Sequence, residues 1–289
     1  MPMTVDDRFR RAVTAIDAGD VAELERLLES DPGLACERLE TPGAWLRDKV
    51  GRALDDFFKA PYLLWFVAED PVRNGVLPKN IADVARTITR AASRECAGSV
   101  QEQIDYALKL VSWSWIARDC EVQIPLIDVL VDAGARLETN PENALVNSNF
   151  TAAEHLVHRG APLTLATALC LNRWDDAERL APMAAPRERQ FALTLTALKG
   201  KAEAVRKLLA LGVDLNGVSP DLYSHATALH HAVSSGSLET VATLVDAGAD
   251  LAVRDRAYDG TPLGWAEHSH GQPRYDAIAA YLRDKGAPR

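Results

Sequence analysis

Cysteine is scarce and dispersed: Cys36, Cys96, Cys120 and Cys170 are the four in 289 residues. No pair has the close spacing of a zinc knuckle or a redox motif, and a chain of this size needs no disulfide to hold its core. Buried free thiols in a reducing cytosol are therefore expected. An excess of positive charge is also missing. The formal charge is −9, which argues against the clustered Lys and Arg that offset phosphate charge, so no nucleic-acid partner is expected. The first residues, Met1-Pro2-Met3-Thr4-Val5-Asp6-Asp7, turn acidic at once without an apolar h-region, and a secretory signal is not expected. No segment approaches the ~18 uninterrupted apolar residues of a membrane span. The expected setting is soluble and cytoplasmic, with no membrane partner.

Catalytic signatures are lacking too. There is no G-x-S-x-G elbow, P-loop, dinucleotide fingerprint or H-E-x-x-H. Cys170 has no motif context to make it a nucleophile. Adjacent acids such as Asp55-Asp56 and Asp175-Asp176 read as solvated faces rather than paired carboxylates. His155 and His158 are three apart on a predicted helix and have chelating spacing, but no further Cys or His lies at matching distance. His268 and His270 precede Gly271-Gln272-Pro273 in a turn where exposure is the plain expectation. No enzyme activity, cofactor or metal is expected.

What the chain does have is apolar residues, 47%, with 25% charged, a composition that folds, and a repeat. Its clearest unit runs Thr227-Ala228-Leu229-His230, then Ala232 to Gly236, then Leu238-Glu239-Thr240-Val241-Ala242-Thr243-Leu244-Val245, and closes with Gly248-Ala249-Asp250. The next begins at Gly260-Thr261-Pro262-Leu263 and ends in Ile278 to Leu282 and Gly286-Ala287. Thr227 and Thr261 are 34 residues apart. Val241, Leu244 and Val245 recur at helical spacing and form a buried stripe. Gly236 and Gly248 stand where each helix of the pair must stop in a left-handed conformation. A helix pair of this kind cannot bury its apolar face alone, so neighbours must stack on it.

These residues resemble the ankyrin-repeat family, whose consensus is roughly G-x-T-P-L-H-x-A-A, a Gly turn, V-x-x-L-L and G-A-D. Ala228 departs from its proline and Gly264 from its histidine. The resemblance implies an all-α solenoid of helix pairs in which Thr227 and His230 bond to backbone and neighbouring turns. Working towards the N-terminus, Leu198-Lys199-Gly200 with Ala204 to Asn216 is a further copy, and residues 1–39 hold one more around Ala18-Gly19-Asp20. Between them the copies are degenerate. Leu126 to Ala135 and Ala152 to Ala161 keep the second-helix pattern, yet Gly134 and Gly160 are only 26 residues apart. The β-turn finger must be trimmed there, leaving little more than helix pairs, and Leu165 to Leu180, centred on Asn172-Arg173, reads as a third short pair. Six or seven units are expected, with residues 121–187 short and 188–289 full.

Residues 40–120 lack the signature and read as a helical insert packed on the array. Pro78 is expected to start a helix through Ile81, Val84, Ile88 and Ala91, and another should run from Val100 to Trp115 with Ile104, Leu108 and Val111 on one face. Trp45, Trp65, Trp113 and Trp115 lie in this region. They either pack the insert against the repeats or line a small-molecule or peptide pocket beside it, with Asp70, Arg73, Asn74 and Lys79 as orienting groups. An unrecognised enzyme built on that pocket is the remaining alternative.

In ankyrin repeats the fingers and inner helices make the binding surface. The resemblance therefore implies a non-catalytic protein-interaction module, and the acidic chain favours a neutral or basic protein partner. The expected contact ridge is Tyr223, His225, His231, Arg254, Tyr258 and Asp259, although bonding from finger to finger accounts equally for these residues.

Overall fold

A computed structural model describes residues 3–138, 140–269 and 271–288. The chain divides into two compact units, residues 1–162 and 163–289. Regular structure among the described residues is helical; the one β-type pairing is an isolated bridge between Arg38 and Tyr62. No helix is long and apolar enough to cross a membrane.

In the first unit, α1 (Val5–Ala18) and α2 (Val21–Ser30) form the opening pair. A 3-10 helix (Pro32–Ala35), α3 (Ala44–Val50) and two further 3-10 helices (Gly51–Asp55, Leu63–Ala68) follow. Then come α4 (Ile81–Glu95), α5 (Val100–Trp113), α6 (Trp115–Asp119), α7 (Gln123–Asp132), α8 (Asn140–Val146) and α9 (Phe150–His158). The expected insert helices are present, but the second stops at Trp113. Ser114 turns extended, and its hydroxyl accepts the Ala117 N–H to start α6.

The insert takes a regular place in the stack. The 3-10 helix Leu63–Ala68 packs between α1 and α5, and α5 packs on α8; behind this row α2, α4, α7 and α9 touch in order. All six residues from Leu63 to Ala68 are buried, which is what a middle layer requires. The first unit therefore has four layers, one of them made by the 3-10 helix and α4.

The second unit also has four pairs: α10 (Leu165–Cys170) with α11 (Trp174–Leu180), α12 (Pro186–Leu198) with α13 (Ala202–Leu209), α14 (Ala228–Ser235) with α15 (Leu238–Asp246), and α16 (Pro262–His268) with α17 (Pro273–Asp284). The inner helices α10, α12, α14 and α16 stack in that order. The trimmed fingers are as expected: α7 ends at Asp132 and α8 begins at Asn140, whereas α13 ends at Leu209 and α14 begins only at Ala228.

One turn recurs after α1, α6, α8, α10, α12 and α14, though not directly after α16, where Ser269 has negative φ. Gly19, Gly200 and Gly236 have positive φ there, and Glu121, Ser148 and Asn172 adopt the same conformation without being glycine. The N–H after the turn donates five residues back, from Asp20 to Ala15, Val122 to Ala117, Asn149 to Ala144, Arg173 to Ala168 and Lys201 to Thr196. This closes the helix by satisfying a carbonyl that would otherwise be left over.

The cysteine expectation is corrected. Cys36 and Cys96 form a disulfide with Cα atoms 5.3 Å apart, while Cys120 and Cys170 stay outside any disulfide. Cys36 caps the first 3-10 helix and Cys96 caps α4; these two helices pack together. Folding makes neighbours of residues separated by 60 in sequence.

Candidate functional site

The last two repeats are tied by His230, which bonds to the neighbouring turn as the resemblance implies, while Thr227 bonds to the His230 ring rather than capping the backbone. Thr227 Oγ1 and His230 Nδ1 are 2.9 Å apart, and His230 Nε2 lies 3.0 Å from the Gly260 carbonyl oxygen in the next finger. The ring is buried, which lowers its pKa and keeps it neutral as a bridge. Thr261 holds the corresponding N-cap position and, unlike Thr227, accepts a backbone N–H there, from Gly264 at 3.1 Å. Gly264 has no side chain to complete the pair.

Finger 250–261 is organised by one carboxylate. Asp255 Oδ1 accepts from Ala257 and Tyr258 N–H at 2.8 and 2.7 Å, and Oδ2 accepts from Gly260 N–H and the Trp265 indole N–H, both at 2.9 Å. Burial opposes the charge, but the indole and backbone donors outweigh it and hold the group down to about 2. The finger is thus braced from within, and Arg256 N–H donates across to the His225 carbonyl at 2.7 Å.

The expected ridge residues are brought together around His225. Its ring centroid lies 6.2 Å from Tyr223 and from His231, 6.4 Å from Tyr258 and 6.1 Å from Trp265. Tyr258 is 80% exposed and Tyr223 is 46% exposed, so the outer rings face solvent. His231 is buried beneath them. Burial, then the neighbouring His225, pushes it down to about 4, and its Nε2 has no hydrogen-bond partner. Arg254 is drawn back onto Asp259, touching both its carbonyl and its carboxylate. Trp265 joins this cluster, although sequence reasoning did not select it. It stands directly after the position where the repeat has its histidine, the place His231 holds in the repeat before.

Beside the ridge lies a groove of about 540 Å³, lined by Val233, Ser234, Tyr258, Gly264, Trp265, His268 and Tyr275 among others. His268 is among its lining residues; His270 lies outside the described residues.

The residues considered for an insert pocket disperse. Trp45 donates to Asp6 at 2.8 Å and stacks on Phe66, while Trp65 donates to the Gln103 carbonyl and lies 4.4 Å from the Tyr106 ring. Trp113 meets Phe57 edge-on, and Trp115 is exposed. Arg73 is buried in an ion pair with Glu69 and Asp17, both at 2.9 Å. Asn74 accepts from Lys49, and Lys79 reaches the Cys120 carbonyl. The hollow between α5 and residues 136–143, about 360 Å³, is instead lined by charged and polar groups such as Asp105, Lys109 and Arg136, with Tyr106 as its one aromatic ring. His155 is paired with Asp128 at 2.7 Å rather than with His158. Among the described residues no group of three or more His, Cys, Asp and Glu is placed to hold a metal ion.

A family model agrees with the repeat geometry. Residues 142–255 match the family model described as ankyrin repeats (3 copies). Among solved structures, the human ASB11 ankyrin repeat domain matches at 16% identity with a TM-score of 0.36, over 72% of this chain and 96% of that one. No curated protein matches the sequence.

Proposed function

Because this chain is an ankyrin-repeat protein, of a family whose repeats serve generally in protein–protein interaction, we propose that it binds a partner protein without catalysis, through the finger face of its last repeats. The observation that carries the reading is Tyr258: a large ring, 80% exposed, held out on a finger whose backbone is fixed by the Asp255 carboxylate. A monomer gains nothing in stability from such a ring in water, whereas an interface gains much from a rigid aromatic anchor. Tyr223 and His225 extend the surface, Asp259 and Arg254 form its polar rim, and His231 supports it from below. The preorganised finger loses little entropy on binding. With a formal charge of −9, the chain suits a neutral or basic partner.

Affinity capture from the native host's lysate tests this, with wild type beside the Tyr223→Ala, His225→Ala, Tyr258→Ala triple variant. A partner retained by wild type and lost by the variant, with unchanged melting curves, is the expected result. Equal capture by both proteins rejects this surface.

A further inference from the structure

We infer that the groove beside Tyr258 is a socket for an arginine side chain of the partner polypeptide; this deepens the protein-binding reading and rests on it. Three aromatic rings form its walls: Tyr258, Trp265 and Tyr275. Aromatic faces carry negative charge and attract cations. The Trp265 indole donates its N–H to the Asp255 carboxylate, which pushes electron density back into the ring. One wall already attracts this chemistry, since the Arg274 guanidinium lies 4.8 Å from the centre of the Tyr275 ring.

The ends of two helices add to the field. Val233 and Ser234 in the last turn of α14, and His268 and Ser269 at the end of α16, all line the groove. Helix C-termini are the negative ends of the macrodipole and favour a cation. The last turn of α14 carries no basic residue of its own, and that of α16 carries His268. Tyr275 comes from the first turn of α17, which carries Asp276 as well as Arg274. A planar guanidinium suits stacking between rings while donating to carbonyl oxygens in its plane.

The socket exists because of one substitution. In the preceding repeat a histidine fills the corresponding position and bonds to its threonine. At Gly264 a Cβ would meet only Thr261 Oγ1, at 3.4 Å. Glycine there leaves the floor open, at the cost that glycine brings to a helix interior. Gly264→His should therefore restore the threonine–histidine pair and fill part of the groove without harming the fold.

The test uses the full chain, ¹⁵N-labelled, titrated with Ac-Gly-Arg-Gly-NH2 while the Trp265 indole N–H signal, assigned with Trp265→Phe, is followed. The expected result is a saturable shift with arginine and about tenfold weaker binding by the neutral citrulline tripeptide. Both Gly264→His, with a melting temperature equal to or above wild type, and Tyr258→Ala in the exposed finger should weaken the arginine response. An absent shift, or an equal response to citrulline, overturns the socket. So does an unaltered response in both folded variants. The two readings fail distinguishably: partner capture without an arginine response removes only the socket, while an arginine response without any captured partner removes the protein-binding reading and, with it, the partner polypeptide as the source of the arginine.

Discussion

Asp255 accepts four N–H groups, so the loss of its charge should be felt along the whole finger. Asp255→Ala is expected to cost about 2–3 kcal/mol and to speed amide exchange at Ala257, Tyr258 and Gly260, measured by hydrogen exchange. Two other groups titrate with opposite consequences. His231 is held near 4, below its ordinary 6.5. Between those values the unfolded chain binds a proton that the folded chain refuses, so its contribution is complete above about 6.5 and is lost as pH falls towards 4. Asp70 is raised by burial from 3.8 to about 6. The folded carboxyl stays protonated there while the unfolded one ionises, so stability is lost as pH rises from about 4 through 6. Urea midpoints should separate the two. His231→Leu flattens the acid-side decline, whereas Asp70→Asn raises the midpoint at pH 7, corresponding to stability on the order of 1 kcal/mol, and leaves it unchanged near pH 3.5. None of this was legible beforehand for Asp255 or Trp265, because the bond between them depends on the folded path of the finger. The bond from His230 to the next finger was legible, since the motif fixes the histidine's place, but the Thr227–His230 pair was not.

At the scale of the element, the recurring left-handed turn explains which repeats the sequence reveals. Where glycine occupies it, as at Gly19, Gly200 and Gly236, the period is plain; where Glu121, Ser148 and Asn172 occupy it, the same turn hides behind residues that carry no signal. Left-handed backbone costs most L-residues about 1–2 kcal/mol. Glu121→Gly should therefore raise stability by about 1 kcal/mol, allowing for the entropy that glycine adds to the unfolded chain, as read from denaturant unfolding. The residue's ion pair with Lys79 is exposed and contributes little. The layer made by Leu63–Ala68 and α4 was legible as helical, but not as a repeat. Its inner helix is 3-10 and buried at every position, so it shows neither the period nor the capping residues of its neighbours.

At the scale of the molecule, the all-α stack of ankyrin-type pairs follows from the sequence pattern, while contacts between distant segments do not. The Cys36–Cys96 disulfide closes a loop across the first unit, and a loop of this length constrains the unfolded chain by about 4 kcal/mol. Reduction, or Cys96→Ser, should lower the melting temperature of the first unit by an amount that reductant no longer alters in the variant. The central claim concerns the other unit, where Tyr258 faces solvent on a braced finger. Its most direct test places a photo-crosslinking amino acid at Tyr258 or, as a control, at exposed Leu238 on the outer helix α15, followed by irradiation in the native host. A polypeptide joined at Tyr258 and not at Leu238 is the predicted result; crosslinks at Leu238 with none at Tyr258 contradict the account.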